Sequence, residues 1–179
     1  MPRVRIVGGA WKRRLISFPA NAALRPTPDA VRETLFNWLG QDLSGLHCLD
    51  LFAGSGVLGF EAASRGAAHV TLVERDPRAF AALRANAEML GDGRLELIRA
   101  DAIKFLPRAA RRYDLLFLDP PYSQGWIERV EPWLASVAAA GARIYAEAET
   151  PLQRLGAWKC TRQGRAGQVC YHLFESDQV

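Results

Sequence analysis

Short apolar runs recur along the chain, separated by stretches in which the apolar residues have helical spacing. A short apolar run bounded by polar or glycine residues is typical of a buried strand. We predict core strands at residues 46–51, 69–73, 95–99, 113–118 and 142–147. The run at 113–118 is almost wholly apolar, as expected of a strand that helices cover on both faces.

The stretches between these strands carry the signals of helices that alternate with them. Helices are predicted at residues 27–39, 57–65, 76–90, 103–109 and 126–137. Thr27 is expected to cap the first helix, with Pro28 in its first turn. This alternation predicts an α/β protein with a Rossmann-like, doubly wound and mostly parallel sheet.

The chain begins with a segment of different character. Residues 3–7 alternate between basic and apolar side chains, and a second short strand is expected at 15–18. Together they predict a small basic, hairpin-like arm. We therefore divide the chain into an arm at 1–24 and a main domain at 25–179, with a linker at 19–23.

The other end of the chain also departs from the alternation of strands and helices. The segments 158–163 and 168–174 flank the turn sequence Gly164-Arg165-Ala166-Gly167. This pattern predicts a β-hairpin. The mostly parallel sheet is therefore expected to end in an antiparallel hairpin, unlike the usual dinucleotide-binding fold.

A glycine-rich turn joins the first core strand to the second helix and has the sequence Asp50-Leu51-Phe52-Ala53-Gly54-Ser55-Gly56-Val57-Leu58-Gly59. Glycine lets the backbone approach a ligand closely, and the helix start offers unpaired N–H groups. The turn is therefore a candidate site for a nucleotide cofactor. The spacing of Gly54, Gly56 and Gly59 also fits the dinucleotide pattern, so a dehydrogenase stays open here, as does a tight turn without a ligand.

Acidic residues mark the ends of four predicted strands: Asp50, Glu74, Asp101 and Asp119. In a sheet of this kind, ligands bind at the carboxyl ends of the strands. Glu74 is expected to accept hydrogen bonds from both ribose hydroxyls, a role that NAD and S-adenosylmethionine enzymes share. Asp101 is expected to accept from an adenine amino group, with helix capping as the alternative.

The fourth of these acids opens the most discriminating motif, Asp119-Pro120-Pro121-Tyr122. Two prolines fix the turn and remove backbone donors, so that a carboxylate and a carbonyl are both available as acceptors. Together they suit a planar exocyclic amine, and Tyr122 suits stacking on the ring that carries it. The alternative is a rigid turn that only ends a strand.

Composition and length restrict the class of protein. The chain has 179 residues, of which 49% are hydrophobic, so a globular protein with one main domain is expected. We find no apolar run of transmembrane length and no secretory block at the start. The three cysteines, Cys48, Cys160 and Cys170, lack metal-ligand spacing. A cytoplasmic monomer that binds no metal is expected.

The net charge of +4 is concentrated at the start of the chain, because six basic residues precede the first acidic one. These residues are Arg3, Arg5, Lys12, Arg13, Arg14 and Arg25. Such an arm indicates a polyanion partner, with a solvated tail that binds nothing as the alternative. Trp11 lies among these cations and is expected either to stack on a base or to pack against the domain edge.

Several of these segments resemble known enzymes. The glycine turn, Glu74 and the Asp-Pro-Pro-Tyr motif are similar to those of amino-methyltransferases of Rossmann-like fold. Residues 5–15, 25–39 and 164–171 resemble, more narrowly, the bacterial small-subunit ribosomal RNA guanine-N2 methyltransferases. This resemblance covers nearly the whole chain, whereas relatives of the Asp-Pro-Pro-Tyr motif alone also serve DNA adenine methylases and protein-glutamine methylases.

The resemblance implies methyl transfer from S-adenosylmethionine to the N2 amine of a guanine in 16S ribosomal RNA, within a small subunit or an assembly intermediate. It implies a cofactor site formed by Asp50, Phe52, Gly54, Ser55, Gly56, Glu74, Asp101 and Ala102. The implied catalytic residues, which hold the guanine, are Asp119, Pro120 and Tyr122. RNA contacts are expected from Arg3, Arg5, Trp11, Lys12, Arg13, Arg14 and Arg25. A contact of Arg25 and Thr27 with either the cofactor or the RNA is expected, and the resemblance does not decide between them.

Three rival functions follow from the same residues. An NAD-dependent oxidoreductase accounts for the glycine spacing but for neither the Asp-Pro-Pro-Tyr motif nor the basic arm. A non-enzymatic RNA-binding protein accounts for the arm but not for the acids at the strand ends. An N6-adenine methyltransferase acting on DNA or RNA keeps the chemistry and changes the acceptor, although the chain has no large inserted target-recognition segment.

Overall fold

The computed structural model describes residues 1–21 and 24–177, and within them eight strands form one central sheet and two form a separate hairpin. The strands are β1 (Arg3–Arg5), β2 (Leu15–Ser17), β3 (His47–Asp50), β4 (His69–Glu74), β5 (Leu95–Arg99), β6 (Tyr113–Leu118), β7 (Ala138–Ala148), β8 (Arg154–Leu155), β9 (Trp158–Ala166) and β10 (Val169–Ser176). The helices are α1 (Asp29–Leu39), α2 (Val57–Ser64), α3 (Pro77–Leu90), α4 (Ala102–Phe105), α5 (Trp126–Val130) and α6 (Leu134–Val137), with 3₁₀ turns at Leu106–Arg108 and Glu131–Trp133. No helix in this part of the chain is long and apolar enough to cross a bilayer.

The central sheet has the order β5-β4-β3-β6-β7-β10-β9-β8. Strands β3 to β7 are parallel to one another, whereas β10 is antiparallel to β7 and β9, and β8 is antiparallel to β9. The predicted fold class is therefore confirmed. The chain runs outward from β3 to β5 and then returns to β6 beside β3. A reversal of this kind opens a crevice at the carboxyl ends of the two central strands.

Alternating side chains of the strands supply two hydrophobic layers. Cys48, Leu115 and Tyr145 face the layer that contains α1, α2 and α3. Their chain neighbours face the layer that contains α4, α5 and α6, as the burial of Leu49 and Leu116 shows. Both faces of the parallel strands are covered, which explains the almost continuous apolar run predicted for β6.

The N-terminal hairpin of β1 and β2 packs on the main domain. Ile6 and Ile16 are fully buried in the same hydrophobic cluster as Leu35 and Phe36 of α1. The Asn86 side chain on α3 pairs with both backbone groups of Ser17, at 3.2 and 2.8 Å. The division at residue 24 stays a prediction, and residues 22–23 of the predicted linker lie outside the described residues.

A buried ionic network joins the hairpin to two helices through Glu61. Its carboxylate accepts from Arg32 at 2.6 Å, from Arg65 at 2.6 Å and from the Val7 backbone N–H at 2.6 Å. The side chains of Glu61 and Arg32 have no exposed surface and that of Arg65 is 3% exposed. A buried carboxylate between two buried guanidinium groups therefore ties the hairpin, α1 and α2 together.

The helix predicted at 126–137 is broken in the structure. It consists of α5, a 3₁₀ turn that contains Pro132, and α6. Proline has no backbone N–H to donate and its ring clashes with the preceding turn, so a continuous α-helix is interrupted there. Strand β7 also begins at Ala138, four residues before the predicted start.

The predicted C-terminal hairpin is present, but its turn is elsewhere. Strand β9 continues through Gly164 to Ala166, which pairs with Val169, so the turn is formed by Gly167 and Gln168. Position 164 lies inside strand β9 and is occupied by glycine because a Cβ there would approach Cζ of the cross-strand Tyr171 to 2.4 Å. The glycine therefore makes room for an aromatic ring instead of a turn.

Candidate active site at the carboxyl ends of the strands

The turn between β3 and α2 uses glycines for two purposes. Gly54 and Gly56 have φ angles of +57° and +83°, a region that glycine adopts without strain. A Cβ on Gly56 would meet Leu83 at 2.4 Å and Phe60 at 2.6 Å, whereas one on Gly54 would approach Leu24 at 3.1 Å. The missing side chain of Gly56 thus serves core packing, which leaves only its backbone for a ligand.

Glu74 supports this turn from the end of β4. One carboxylate oxygen accepts the Gly54 N–H at 2.8 Å, and the other accepts the Asp76 N–H at 2.9 Å. Each carboxylate oxygen has a second lone pair, so both retain the capacity to accept another hydrogen bond. The expected role towards two ribose hydroxyls fits this arrangement.

The acid that follows β5 has the helix-capping role, and its expected contact with an adenine amino group stays a prediction. Asp101 caps α4 by accepting the Ile103 N–H at 2.8 Å. Its other oxygen lies 3.8 Å from the Arg75 guanidinium, and the side chain is 24% exposed. Ala102 is buried. Asp101 therefore keeps one accessible acceptor oxygen at the edge of the crevice.

Asp50 and its neighbours form the floor of the turn. The Asp50 carboxylate accepts the Gly59 N–H at 3.0 Å. Burial raises the pKa of Asp50 to about 7, the Gly59 hydrogen bond opposes this shift, and the charges of Glu74 and Glu147 add to it. The ring of Phe52 packs edge-on against Trp126, and Ser55 is buried.

A second acidic cluster lies on the neighbouring strands. Phe117 of β6 pairs with Tyr145 of β7, so Asp119 and Glu147 are adjacent two residues further on. The two carboxyl groups hydrogen-bond to each other. The Thr27 hydroxyl donates to Glu147 at 2.9 Å. Thr27 therefore belongs to this cluster, and its predicted role as a helix cap is wrong, since Pro28 occupies the cap position without a side-chain hydrogen bond.

The environment of this cluster favours its protonated form. Burial raises the pKa of Asp119 well above its ordinary value, and the charge and hydrogen bond of Glu147 raise it further. Burial also raises the pKa of Glu147, while hydrogen bonds from Asp119 and Thr27 oppose that shift. Two adjacent carboxyl groups cannot both ionise readily, so the pair keeps a proton to higher pH than an isolated carboxyl.

Two tyrosines flank the carboxyl pair. Tyr122 is 48% exposed. Burial raises its pKa to about 12, with further contributions from Asp119 and Glu147, and Arg25 opposes the shift. Tyr145 is fully buried, and among the residues that the structure describes its hydroxyl has no hydrogen-bond partner. An exposed ring and an unpaired donor thus stand beside the two acids.

The basic residues of the arm occupy two regions. Arg5 pairs with Asp29 at 2.7 Å, while the exposed cations at the hairpin tip are Lys12, Arg13 and Arg14. The tip is held by Ser64, whose carbonyl accepts the Ala10 N–H at 2.7 Å. Since α2 starts at the glycine turn and ends at Ser64, the tip lies about 11 Å along the helix from the crevice. Arg3 and Arg25 are exposed as well, and Arg25 is near enough to Tyr122 for its charge to lower the pKa of that tyrosine.

Trp11 does not face solvent with the neighbouring cations. It is 9% exposed and belongs to the core cluster, and its backbone N–H donates to the Ser64 hydroxyl at 2.9 Å. The expectation that Trp11 stacks on a base is therefore corrected, because its ring is covered. The alternative, packing against the domain edge, describes what is observed.

Glu147 is the functional candidate that the sequence analysis missed. It ends a parallel strand beside Asp119, where the rule applied to Asp50, Glu74 and Asp119 applies equally. Its signal was present in the sequence, because the strand predicted at 142–147 ends at this residue. The pairing of β6 with β7 reveals its position.

Comparison with known proteins agrees with this geometry. The family model described as conserved hypothetical protein 95 matches residues 4–175. Ribosomal RNA small subunit methyltransferase D of Escherichia coli is 38% identical over 98% of this chain and 91% of its own length. The protein with the same name from Haemophilus influenzae is 37% identical over 97% and 94%, respectively. The solved structure of a putative methyltransferase, yhhF, from Escherichia coli superposes with a TM-score of 0.89, at 38% identity, covering 99% of this chain and 100% of that one.

The match therefore extends from the N-terminal hairpin to β10 and includes every strand-end acid described above. It is too long and too close to reflect a shared fold alone. We conclude that the chain belongs to the family of ribosomal RNA small subunit methyltransferase D, which the model for conserved hypothetical protein 95 describes.

Proposed function

We propose that the protein transfers a methyl group from S-adenosylmethionine to the N2 amine of a guanine in 16S ribosomal RNA. The observation that carries this proposal is the acceptor cluster of Asp119 and Glu147 beside the half-exposed ring of Tyr122. This cluster lies next to the glycine turn, in which the Gly54 N–H donates to Glu74. The names of the relatives support methylation of ribosomal RNA, and the acceptor cluster suits an amine.

The residues of the turn suit a nucleoside cofactor. Glu74 retains acceptors for two hydroxyls, Asp101 retains one at the crevice edge, and Gly54 presents backbone without a side chain. Asp50 and the turn are assigned to the methionine end. When bound, the sulfonium of S-adenosylmethionine supplies an activated methyl group, so alignment of donor and acceptor is the main task of the protein.

The acceptor residues orient and activate the amine. An exocyclic amine conjugates its lone pair with the ring, and acceptors on its hydrogens favour the geometry that exposes the lone pair. Asp119 and the Pro120 carbonyl are assigned to these hydrogens, and Tyr122 to stacking on the base. As the nitrogen–carbon bond forms and the sulfur–carbon bond breaks, the amine loses a proton, for which the Asp119 carboxylate is the nearest assigned acceptor.

The proposal is tested with small ribosomal subunits from cells that lack the enzyme. We expect tritium transfer from labelled S-adenosylmethionine, followed by nucleoside analysis that recovers N2-methylguanosine. Recovery of N6-methyladenosine would replace the guanine assignment by the adenine alternative. Hydride transfer with NAD and no methyl transfer would contradict the reaction class itself. Running naked RNA beside assembled subunits determines which of them is the substrate.

Methylation should rise with pH across a range above that of an ordinary carboxyl group. Asp119 can take the proton of the amine only as a carboxylate, and burial and Glu147 raise its pKa. Activity should therefore be lost as the pH falls through this raised pKa. Single-turnover methylation from about pH 5 to about pH 9 measures this profile.

The Glu147→Gln variant provides the control for that profile. It removes the charge that raises the pKa of Asp119, so the rise in activity should move to lower pH. A profile whose midpoint stays the same in this variant would mean that the pair does not set the pH dependence.

Replacing Lys12, Arg13 and Arg14 with alanine should weaken binding to the RNA or subunit and flatten its salt dependence. Each phosphate interaction that the substitutions remove should reduce the slope by about 0.7–0.9 log units per log unit of salt. Phosphate interactions carry little sequence information, so the same guanine should still be methylated. Affinity across a salt series, with mapping of the methylated nucleotide, measures both effects.

The matched control removes three exposed cations that follow β5 on the other layer, namely Lys104, Arg108 and Arg111. It changes the net charge equally but should leave most of the salt slope intact. Equal slopes in the two triple variants would contradict a specific role for the hairpin tip. A relocated methyl group in the tip variant would mean that the tip also selects the target.

A further inference from the structure

In the part of the chain that the structure describes, the sheet face beside Asp119 carries two acids without a basic partner and one hydroxyl without a hydrogen bond. Tyr145 and Glu147 lie two residues apart on β7 and therefore share this face, next to Phe117 and Asp119. Glu147 is 6% exposed and its only donors are the Thr27 hydroxyl and the proton shared with Asp119, as far as the described residues show. No lysine or arginine pairs with either acid in that part of the chain.

The Tyr145 hydroxyl is a second, independent observation. It is fully buried and, within residues 1–21 and 24–177, makes no hydrogen bond. Buried polar groups are rarely left in this state, because an unpaired group loses its hydration without compensation. Among the described residues, the face thus combines two adjacent acids that no lysine or arginine pairs with and one buried donor that lacks an acceptor.

The Watson–Crick edge of guanine has the complementary pattern. It presents the N2 amine, the N1–H and the O6 carbonyl in sequence, which is two donors followed by an acceptor. Adenine presents its amine beside an unprotonated N1, so a second carboxylate would face a lone pair instead of a hydrogen. Two adjacent acids therefore suit guanine and disfavour adenine.

Building on the proposed function, we propose that Glu147 and Tyr145 complete with Asp119 the set that reads the target base. Asp119 accepts from the N2 amine, Glu147 accepts from N1–H, and Tyr145 donates to O6. The base then supplies each of the two adjacent acids with a hydrogen of its own, so that they need not share one proton. This assigns selection of guanine to the end of β7, outside the Asp-Pro-Pro-Tyr motif.

The test uses 16S RNA in which 2-aminopurine replaces the mapped target guanine. An RNA fragment that carries the replacement is ligated into 16S RNA, and the product is assembled into whichever substrate the wild-type enzyme methylates. The 2-aminopurine base keeps the N2 amine but lacks both N1–H and O6. Wild-type enzyme should prefer guanine strongly in kcat/KM. In Glu147→Gln and in Tyr145→Phe the preference should fall by at least about tenfold. Glu147→Gln replaces the charged acceptor of the guanine N1–H by a weaker neutral one, and Tyr145→Phe removes the donor to O6.

The matched control is Glu88→Gln, which makes the same charge change at an exposed residue on α3, away from this sheet face. Its preference for guanine should stay within about twofold of the wild type. Calorimetry with S-adenosylmethionine verifies that each variant is folded, and 2-aminopurine fluorescence reports entry of the base independently of turnover. Tyr145→Phe removes only an unpaired hydroxyl, so it should fold.

An unchanged preference in Glu147→Gln, or in Tyr145→Phe, would overturn the role assigned to that residue. Equal use of both bases by the wild-type enzyme would overturn the whole reading set. Failure of the wild-type enzyme to methylate any guanine would instead overturn the proposed function. The two failures are therefore distinguishable in the same series.

Discussion

Asp119→Ala is expected to lower the single-turnover rate of methylation at least about a hundredfold, a loss of about 2.7 kcal/mol in transition-state stabilisation. The carboxylate is assigned to the hydrogens of the target amine, and their interaction strengthens as positive charge develops on the nitrogen. The substitution removes no hydrogen bond of the glycine turn, since Glu74 and Asp50 hold that turn. Rapid-quench assays with saturating subunits measure the rate.

The affinity for S-adenosylmethionine is the control for this variant, and it should change by less than about threefold, because the cofactor groups are untouched. Asp119→Asn should retain more activity than Asp119→Ala, since the amide oxygen still accepts one hydrogen bond. If the rate of Asp119→Ala stays within about threefold of the wild type, the loss of transition-state stabilisation is under about 1 kcal/mol. Asp119 would then have no role in the chemical step.

Glu61→Ala is expected to give the largest loss of stability, about 3–5 kcal/mol in the free energy of unfolding. The variant leaves Arg32 and Arg65 as buried charges without their shared carboxylate, and it also frees the Val7 N–H. Urea unfolding at neutral pH, followed by circular dichroism, measures the change. The hairpin and α1 should lose protection from hydrogen exchange together, because both are attached through Glu61.

Glu88→Ala is the matched control, since Glu88 is an exposed acid on α3. Its free energy of unfolding should stay within about 0.5 kcal/mol of the wild type. Glu61→Gln keeps one of the two acceptor oxygens and should fall between the two alanine variants. A loss below about 1 kcal/mol for Glu61→Ala would mean that water enters the network and solvates the two arginines.

The sequence by itself determined the order of the elements and the edge of the sheet that carries the candidate site. Hydrophobic periodicity is a local property, so the strands that become β3 to β6 could be located within one or two residues. The acids Asp50, Glu74 and Asp119 follow directly from the strand ends, since parallel strands bring their carboxyl ends together. The C-terminal hairpin could also be predicted, because its strands are neighbours in the chain.

Only the tertiary structure decided how distant residues share the site. Glu147 stands beside Asp119 because β7 pairs with β6, and Thr27 reaches Glu147 although 120 positions separate them in the chain. The burial of Trp11 depends on α2 and on the core beneath the hairpin, which no local pattern among neighbouring cations reveals. Local spacing predicts what a segment forms, whereas burial, charge coupling and partners depend on packing between segments that are far apart in the sequence.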